Sequence, residues 1–246
     1  MQTYYLTDAG KVRDHNEDNV IIIKNQNDEY LMAVADGMGG HQAGEIASSI
    51  AIDFLSTRWL KMNKMGEKSE AVTWLRNIVN EINNEILKIA SKNEESRGMG
   101  STLVIAILTN EYILFGNIGD SSGYVIKEEK IYKVTKDHTL VNLLVTTGEL
   151  TEEEAKLHPR KNVLMKALGA NNPAEIDIFD VDMTIEGVLL CSDGLTNMLS
   201  DDQIKKVLKT EKLSIEDKVL KLIKKSNIRG GTDNISIAYL VKESGE

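Results

Sequence analysis

Strand-like and helix-like segments come in blocks along this chain rather than in strict alternation, and that order limits the fold more than any other property. Residues 19–24 and 30–35 are rich in apolar and β-branched side chains and flank the polar turn 25–28, which predicts an antiparallel hairpin. Residues 43–59 then place Ile46, Ala47, Ile50, Ala51, Phe54 and Leu55 three and four apart, as a helix burying one stripe would. A second helix is predicted over 69–90, with Val72, Leu75, Val79, Ile82, Ile86 and Ile89 inward and Asn80 and Asn83 outward. Strands return over 101–108, 112–118, 124–127 and 130–134, and again over 175–181 and 187–191. Helices at 201–210 and 214–226 precede a last strand at 235–241, and Tyr4 to Leu6 can form a first one. Hairpin-linked strands with helix pairs between the blocks argue for antiparallel sheets covered by helices, an α+β architecture, not a doubly wound parallel sheet.

Nothing divides the chain. Its 246 residues are 41% hydrophobic, the only prolines are Pro159 and Pro173, and no Ser/Gly-rich linker interrupts the pattern, so a single domain over 1–246 is expected. Residues 139–170 depart from the strand pattern with two short helices, the second opened by Thr151 and three glutamates. Such an insertion is either a flap over something or a plain connecting excursion. The net charge of -9 speaks against a nucleic-acid partner and suits carboxylates gathered around cations. The one cysteine, Cys191, lies in an apolar run and excludes an internal disulfide or a cysteine-rich zinc site. No basic-then-apolar leader and no span-length apolar stretch occur, so a cytoplasmic protein without membrane association is expected.

Four aspartates share one local design. Asp36, Asp120, Asp193 and Asp233 each stand beside a glycine or one residue from it, at an end of an apolar strand. Asp36-Gly37 is expected to end its strand in a turn, with Gly39 and Gly40 leading toward the first helix. Strand ends on one side of a sheet can converge, and four carboxylates brought together repel unless cations hold them. Oxygen-only ligands select hard ions such as Mg²⁺ or Mn²⁺, and a pair of such ions can activate water against a phosphoryl group. The phosphate loop of nucleotidases, the nucleophile elbow of serine hydrolases and the His-Glu-x-x-His helix of zinc proteases are all missing. From the residues alone, metal-dependent phosphoester hydrolysis and a non-catalytic role both stay open.

The motifs Arg13-Asp-His-Asn-Glu-Asp18, Asp36-Gly-Met-Gly-Gly-His41, Gly100-Ser-Thr102, Gly119-Asp-Ser121, Asp137-His138, Ala167-Leu-Gly169, Ser192-Asp-Gly-Leu195 and Gly231-Thr-Asp-Asn234 occur in that order. Together they resemble the bacterial branch of the metal-dependent type 2C (PPM) protein serine/threonine phosphatases, over nearly the whole chain. The resemblance implies a four-layer αββα sandwich, two antiparallel sheets flanked by helix pairs, with residues 139–170 as the flap. It implies two core Mn²⁺ or Mg²⁺ ions, with Asp36 bridging them, the Gly37 carbonyl on one, Asp193 and Asp233 on the other, and Glu17 holding bound water. A weaker third ion would use Asp120 with Asp193. Arg13 would grip the substrate phosphate, for which its planar fork is suited. The implied reaction is direct attack of activated water on phosphoserine or phosphothreonine in proteins, by a monomer opposing a bacterial eukaryotic-like Ser/Thr kinase.

Two positions depart from the family pattern. Some relatives carry a histidine as proposed general acid where this chain has Met38, which leaves the acid unassigned; His15, His41 and His138 are the histidines to weigh. Ser122 stands where many relatives have arginine, removing a cation near the proposed third-ion loop. A phosphoprotein-binding regulatory module on the same fold is the alternative from another class. Loss of a ligating aspartate would favour it, and none is lost.

Overall fold

The structure, a computed structural model, describes residues 1–40, 42–92 and 94–242; His41 lies outside them. Strands β1 (Gln2–Asp8), β11 (Ile235–Val241), β10 (Gly187–Cys191), β7 (Ser122–Lys127) and β8 (Lys130–Lys133) pair in that order as one antiparallel sheet. The other runs β2 (Asp18–Lys24), β3 (Tyr30–Met38), β5 (Leu103–Leu108), β6 (Ile113–Ile118), β9 (Asp177–Val181), with the short β4 (Gly100–Ser101) on the end of β3. All its pairings are antiparallel too.

Side chains alternate across a strand, so each sheet has two faces to cover. Met32, Val34, Val104 and Phe115 of one sheet meet Val188, Leu190, Ala238 and Leu240 of the other, forming a dry layer between them. On the outer face of the first-strand hairpin's sheet, Leu31, Ala33 and Ile105 pack against Leu55 and Trp59 of α1 (Ala43–Leu60) and Leu75 and Ile82 of α2 (Lys68–Ala90). On the outer face of the β1 sheet, Leu189, Ile237 and Tyr239 meet α6 (Asp201–Leu208) and α7 (Ile215–Ile228) through Ile204, Val219 and Leu222. The result is the expected αββα sandwich. Because β3 buries both faces, it has lost the polar alternation of a half-exposed strand.

The flap contains α3 (Leu140–Thr146) and α4 (Glu152–Leu157). Each starts on a threonine cap: Thr139 accepts from the Asn142 N–H, and Thr151 forms a reciprocal box with Glu154. Among the described residues no helix is long and apolar enough to cross a membrane. Cys191 is buried, and burial raises its thiol pKa, as expected of a structural cysteine.

Several sequence expectations change. β3 does not stop at Asp36-Gly37 but runs on to Met38, because β4 supplies partners for Gly37 and Met38. Gly37 is needed for close approach rather than for a turn: a Cβ there would strike the backbone of Gly44 and of Glu17. The buried face of α1 is rotated toward Ala43, Gly44, Ala47, Ser48 and Ala51, leaving Ile46 exposed. These small side chains let the start of α1 sit directly on the end of β3. Asn83, expected outward, is buried, and its amide accepts from Gly169 N–H and donates to the Asn171 carbonyl at 2.8 Å each. A short helix α5 (Asp193–Thr196), not foreseen from sequence, begins at Asp193.

Candidate active site

Three strand ends and two loops meet at a single end of the sandwich. Asp36 comes from near the end of β3, Asp120 from the β6–β7 connection, Asp193 from the β10–α5 junction and Asp233 from the approach to β11. The loop between β1 and β2 brings Arg13 and Glu17. All six, with Gly37, line one cavity of about 490 Å³. The far end of the flap closes its side, through Asn162, Leu164, Met165 and Lys166.

Local hydrogen bonds explain why these side chains arrive together. Asn234 donates to the carbonyls of Ala9 and His15 at 2.9 Å each and accepts from the Glu17 N–H at 2.9 Å, pinning the Arg13–Glu17 loop to the start of β11. The Asp36 N–H donates to Thr102 Oγ1 at 3.0 Å, and the Asp36 carbonyl accepts from the Thr102 N–H at 2.8 Å. The Gly37 N–H donates to the Glu17 carbonyl at 3.1 Å. Ser192 donates to Asp18 at 2.7 Å, below the cavity.

Electrostatics here are strongly unfavourable without counter-charge. Burial and the charges of Asp18, Asp193, Asp120 and Asp233 push Asp36 well above the ordinary carboxylate range. Burial, then Asp193 and Asp137, raises Asp120 to about 7, and burial with Asp233 raises Asp193 to about 6. Asp18, buried opposite Asp36 in the β2–β3 register, is raised to about 7, mainly by burial. Glu17 is raised by burial, against the Arg13 charge and the Gly44 N–H. Partial burial opposes the Arg13 charge, but its hydrogen bond and ion pair with Asp233 at 2.8 Å outweigh that and raise its pKa.

These residues suit a hard divalent cation. Glu17 Oε1, Asp18 Oδ1 and Asp193 Oδ1 are buried without a hydrogen-bond partner, a costly arrangement that a cation would relieve. The donor set is all oxygen, which selects Mg²⁺ or Mn²⁺ over zinc. Among the described residues no three such side chains already stand at ligating spacing. Two of the aspartates are held by protein donors instead: Asp233 by Arg13, and Asp193 by Asn197 at 2.9 Å. A carboxylate at a cavity wall can turn about its side-chain bonds toward a cation, whereas its backbone position is fixed by the fold.

Asp18, Thr102 and Asn234 stand in the motif series without an assigned role, and Asn197 was not singled out from sequence. Asp18 had one available signal: as the first residue of β2 it faces Asp36 across the hairpin. The other three depend on long-range contacts. No histidine among the described residues lines the cavity, and Met38 does. Ser122 is buried on the same face of β7 as Tyr124.

An αββα sandwich with an acidic cavity at one end, closed on one side by a flap, is the architecture of a phosphatase class, and the comparisons specify it. The Protein phosphatase 2C family model matches residues 10–221, and the chain belongs to this family. It is 40% identical over 244 residues to the serine/threonine phosphatase stp of Listeria monocytogenes, covering 99% of this chain and 96% of that one. Protein phosphatase PhpP of Streptococcus pneumoniae is 38% identical over 242 residues, covering 98% and 97%. Among solved structures, the S. agalactiae serine/threonine phosphatase superposes with a TM-score of 0.92 at 36% identity, covering 98% of this chain and 99% of that one. Mycobacterium tuberculosis PstP/Ppp gives 0.85 at 30% identity, with the same two coverages.

Proposed function

We propose that this serine/threonine phosphatase of the protein phosphatase 2C family hydrolyses phosphoserine and phosphothreonine in proteins with Mn²⁺ or Mg²⁺ held at the acidic cavity. The observation that carries the reading is the convergence of Asp36, Asp120, Asp193 and Asp233 on one cavity with buried, unpartnered oxygens beside them. Asp36, Asp193 and Asp233, with the Gly37 carbonyl, would hold two core ions, Glu17 would orient water, and Asp120 with Asp193 would take a weaker third. When bound, the cations neutralise the phosphate and lower the pKa of water.

Arg13 binds two phosphate oxygens. Its present partner is Asp233, so the guanidinium would have to leave that ion pair to turn to the phosphate. Thr102 and Asn234 hold the backbone of Asp36 and of Glu17 against movement. Among the described residues no histidine lines the cavity at the general acid's place, Met38 carries no proton to give, and solvent in the cavity is the proton source for the leaving alkoxide in this reading.

A second groove, of about 850 Å³, runs from Asp120 and Asp193 between the flap and residues 196–201. A small phosphoester needs no such channel, whereas the chain on either side of a phosphorylated residue does, which favours protein substrates. The partners proposed are accordingly phosphoproteins and the Ser/Thr kinase that modifies them. The test is hydrolysis of p-nitrophenyl phosphate and of a phosphothreonine peptide with and without Mn²⁺, comparing the natural protein with Asp193→Asn. Turnover should need Mn²⁺ and fall by about a hundredfold or more in the variant; an undiminished variant overturns the reading.

A further inference from the structure

The Asp137-His138 pair belongs to the motif series yet takes no part in the chemistry above. Its ring does not line the catalytic cavity, and both ring nitrogens are already engaged. Nδ1 accepts from the Gly119 N–H at 3.1 Å, so the ring proton sits on Nε2 and is donated to Asp177 Oδ2 at 3.1 Å. The backbone is used as fully. The His138 N–H donates to the Gly119 carbonyl at 2.9 Å, and the His138 carbonyl accepts from Met165 N–H at 2.7 Å.

These bonds join three places. Gly119 precedes Asp120 and has a φ of +105°, which only glycine adopts without strain. Met165 and Lys166 end the flap and line the cavity, and Lys166 also reaches Asp177 at 3.5 Å. Leu140, at the flap's start, donates to the Val163 carbonyl at 2.8 Å, so the two flap ends are tied together beside His138. The side chain is only 10% exposed.

We propose that His138 is a positioning residue that latches the base of the flap to the Gly119–Asp120 turn, so that the seat of the flap and the aim of the Asp120 carboxylate change together. This rests on Asp120 being a ligand of the weaker ion. A merely structural histidine would lower stability when replaced and leave ion binding unchanged; a latch moves both the Asp120 ion and the flap.

The test uses the full chain and two replacements that divide the ring's functions. His138→Asn keeps an acceptor near Nδ1 and cannot reach Asp177; His138→Gln keeps a donor toward Asp177 and loses the acceptor for Gly119. Free Mn²⁺ is followed by electron paramagnetic resonance to resolve each binding step, and the flap by the rate of tryptic nicking at Lys156, Arg160 and Lys161. In His138→Gln the weakest Mn²⁺ step should weaken by about tenfold, the size of one lost hydrogen bond, with nicking accelerated to a similar degree and the tighter ions unmoved. In His138→Asn that step should stay within about threefold of the natural protein. A folded His138→Gln protein with an unchanged weakest step, or with that step weakened and nicking unchanged, overturns the latch. If His138→Gln does not fold, His138→Ala, which likewise removes the acceptor for the Gly119 N–H, is read by the same criteria. Asp120→Asn is measured in parallel: a variant that loses no Mn²⁺ step overturns the ligand assignment instead, and the nicking rates then decide the latch alone.

Discussion

The middle and the end of β3 are a few residues apart and obey opposite physics. Leu31 to Ala35 are fully buried between α1 and the facing sheet, each contributing the burial that holds layers together. One residue later Asp36 sits among Asp18, Asp193, Asp120 and Asp233, and every one of them opposes its charge. The same strand therefore stabilises the fold along its length and strains it at its tip. The carboxylate cluster that weakens the metal-free protein stands where the cation and phosphate are proposed to bind, and the dry layer behind supplies the rigidity.

The largest break of that comparison is at the tip. Asp36→Asn should lower phosphopeptide turnover by about a thousandfold or more, since a proposed bridging ligand is lost. The same change should raise the melting temperature of the chelated protein, because it removes one of the repelling charges; calorimetry beside the assay checks both signs. In the dry layer the signs reverse. Phe115→Ala should cost about 3–5 kcal/mol in denaturant unfolding, while the Mn²⁺ requirement of the folded fraction stays as it was. The smallest effect belongs to the surface: Glu81→Ala removes the ion pair with Arg58 across α1 and α2 and should change stability by under about 1 kcal/mol.

Much of this was legible from residues. Apolar spacing located α1 and α2, and block order pointed to antiparallel sheets covered by helices, because a helix stripe and a two-faced strand each demand a cover. The aspartates stood out by sitting at strand ends beside glycine. What stayed hidden depends on contacts across the fold. The extension of β3 past Asp36 needs β4, more than sixty residues away, and Asn83 looks like any exposed amide until Gly169 and Asn171 return to it. Asp18 was passed over because its role comes from register, a property of the pair of strands. The mutual burial of α1 and β3 at Gly44 and Gly37 likewise has no signature in either segment alone.

The central claim, that the cavity's acids repel until cations join them, is tested most directly by thermal unfolding of chelated protein at several pH values, with and without Mn²⁺. Asp18 and Asp120 titrate at about 7 and Asp193 at about 6 in the folded chain, against an ordinary 3.8. Native protein thus keeps protons that the unfolded chain has released, so stability is lost as pH rises through that window. Between about pH 5 and pH 8 the melting temperature of the chelated protein should fall, and Mn²⁺ should raise it most at the upper end, where the carboxylates are charged. A chelated protein that grows more stable with pH over this range, or one that Mn²⁺ leaves unmoved at pH about 8, contradicts the account.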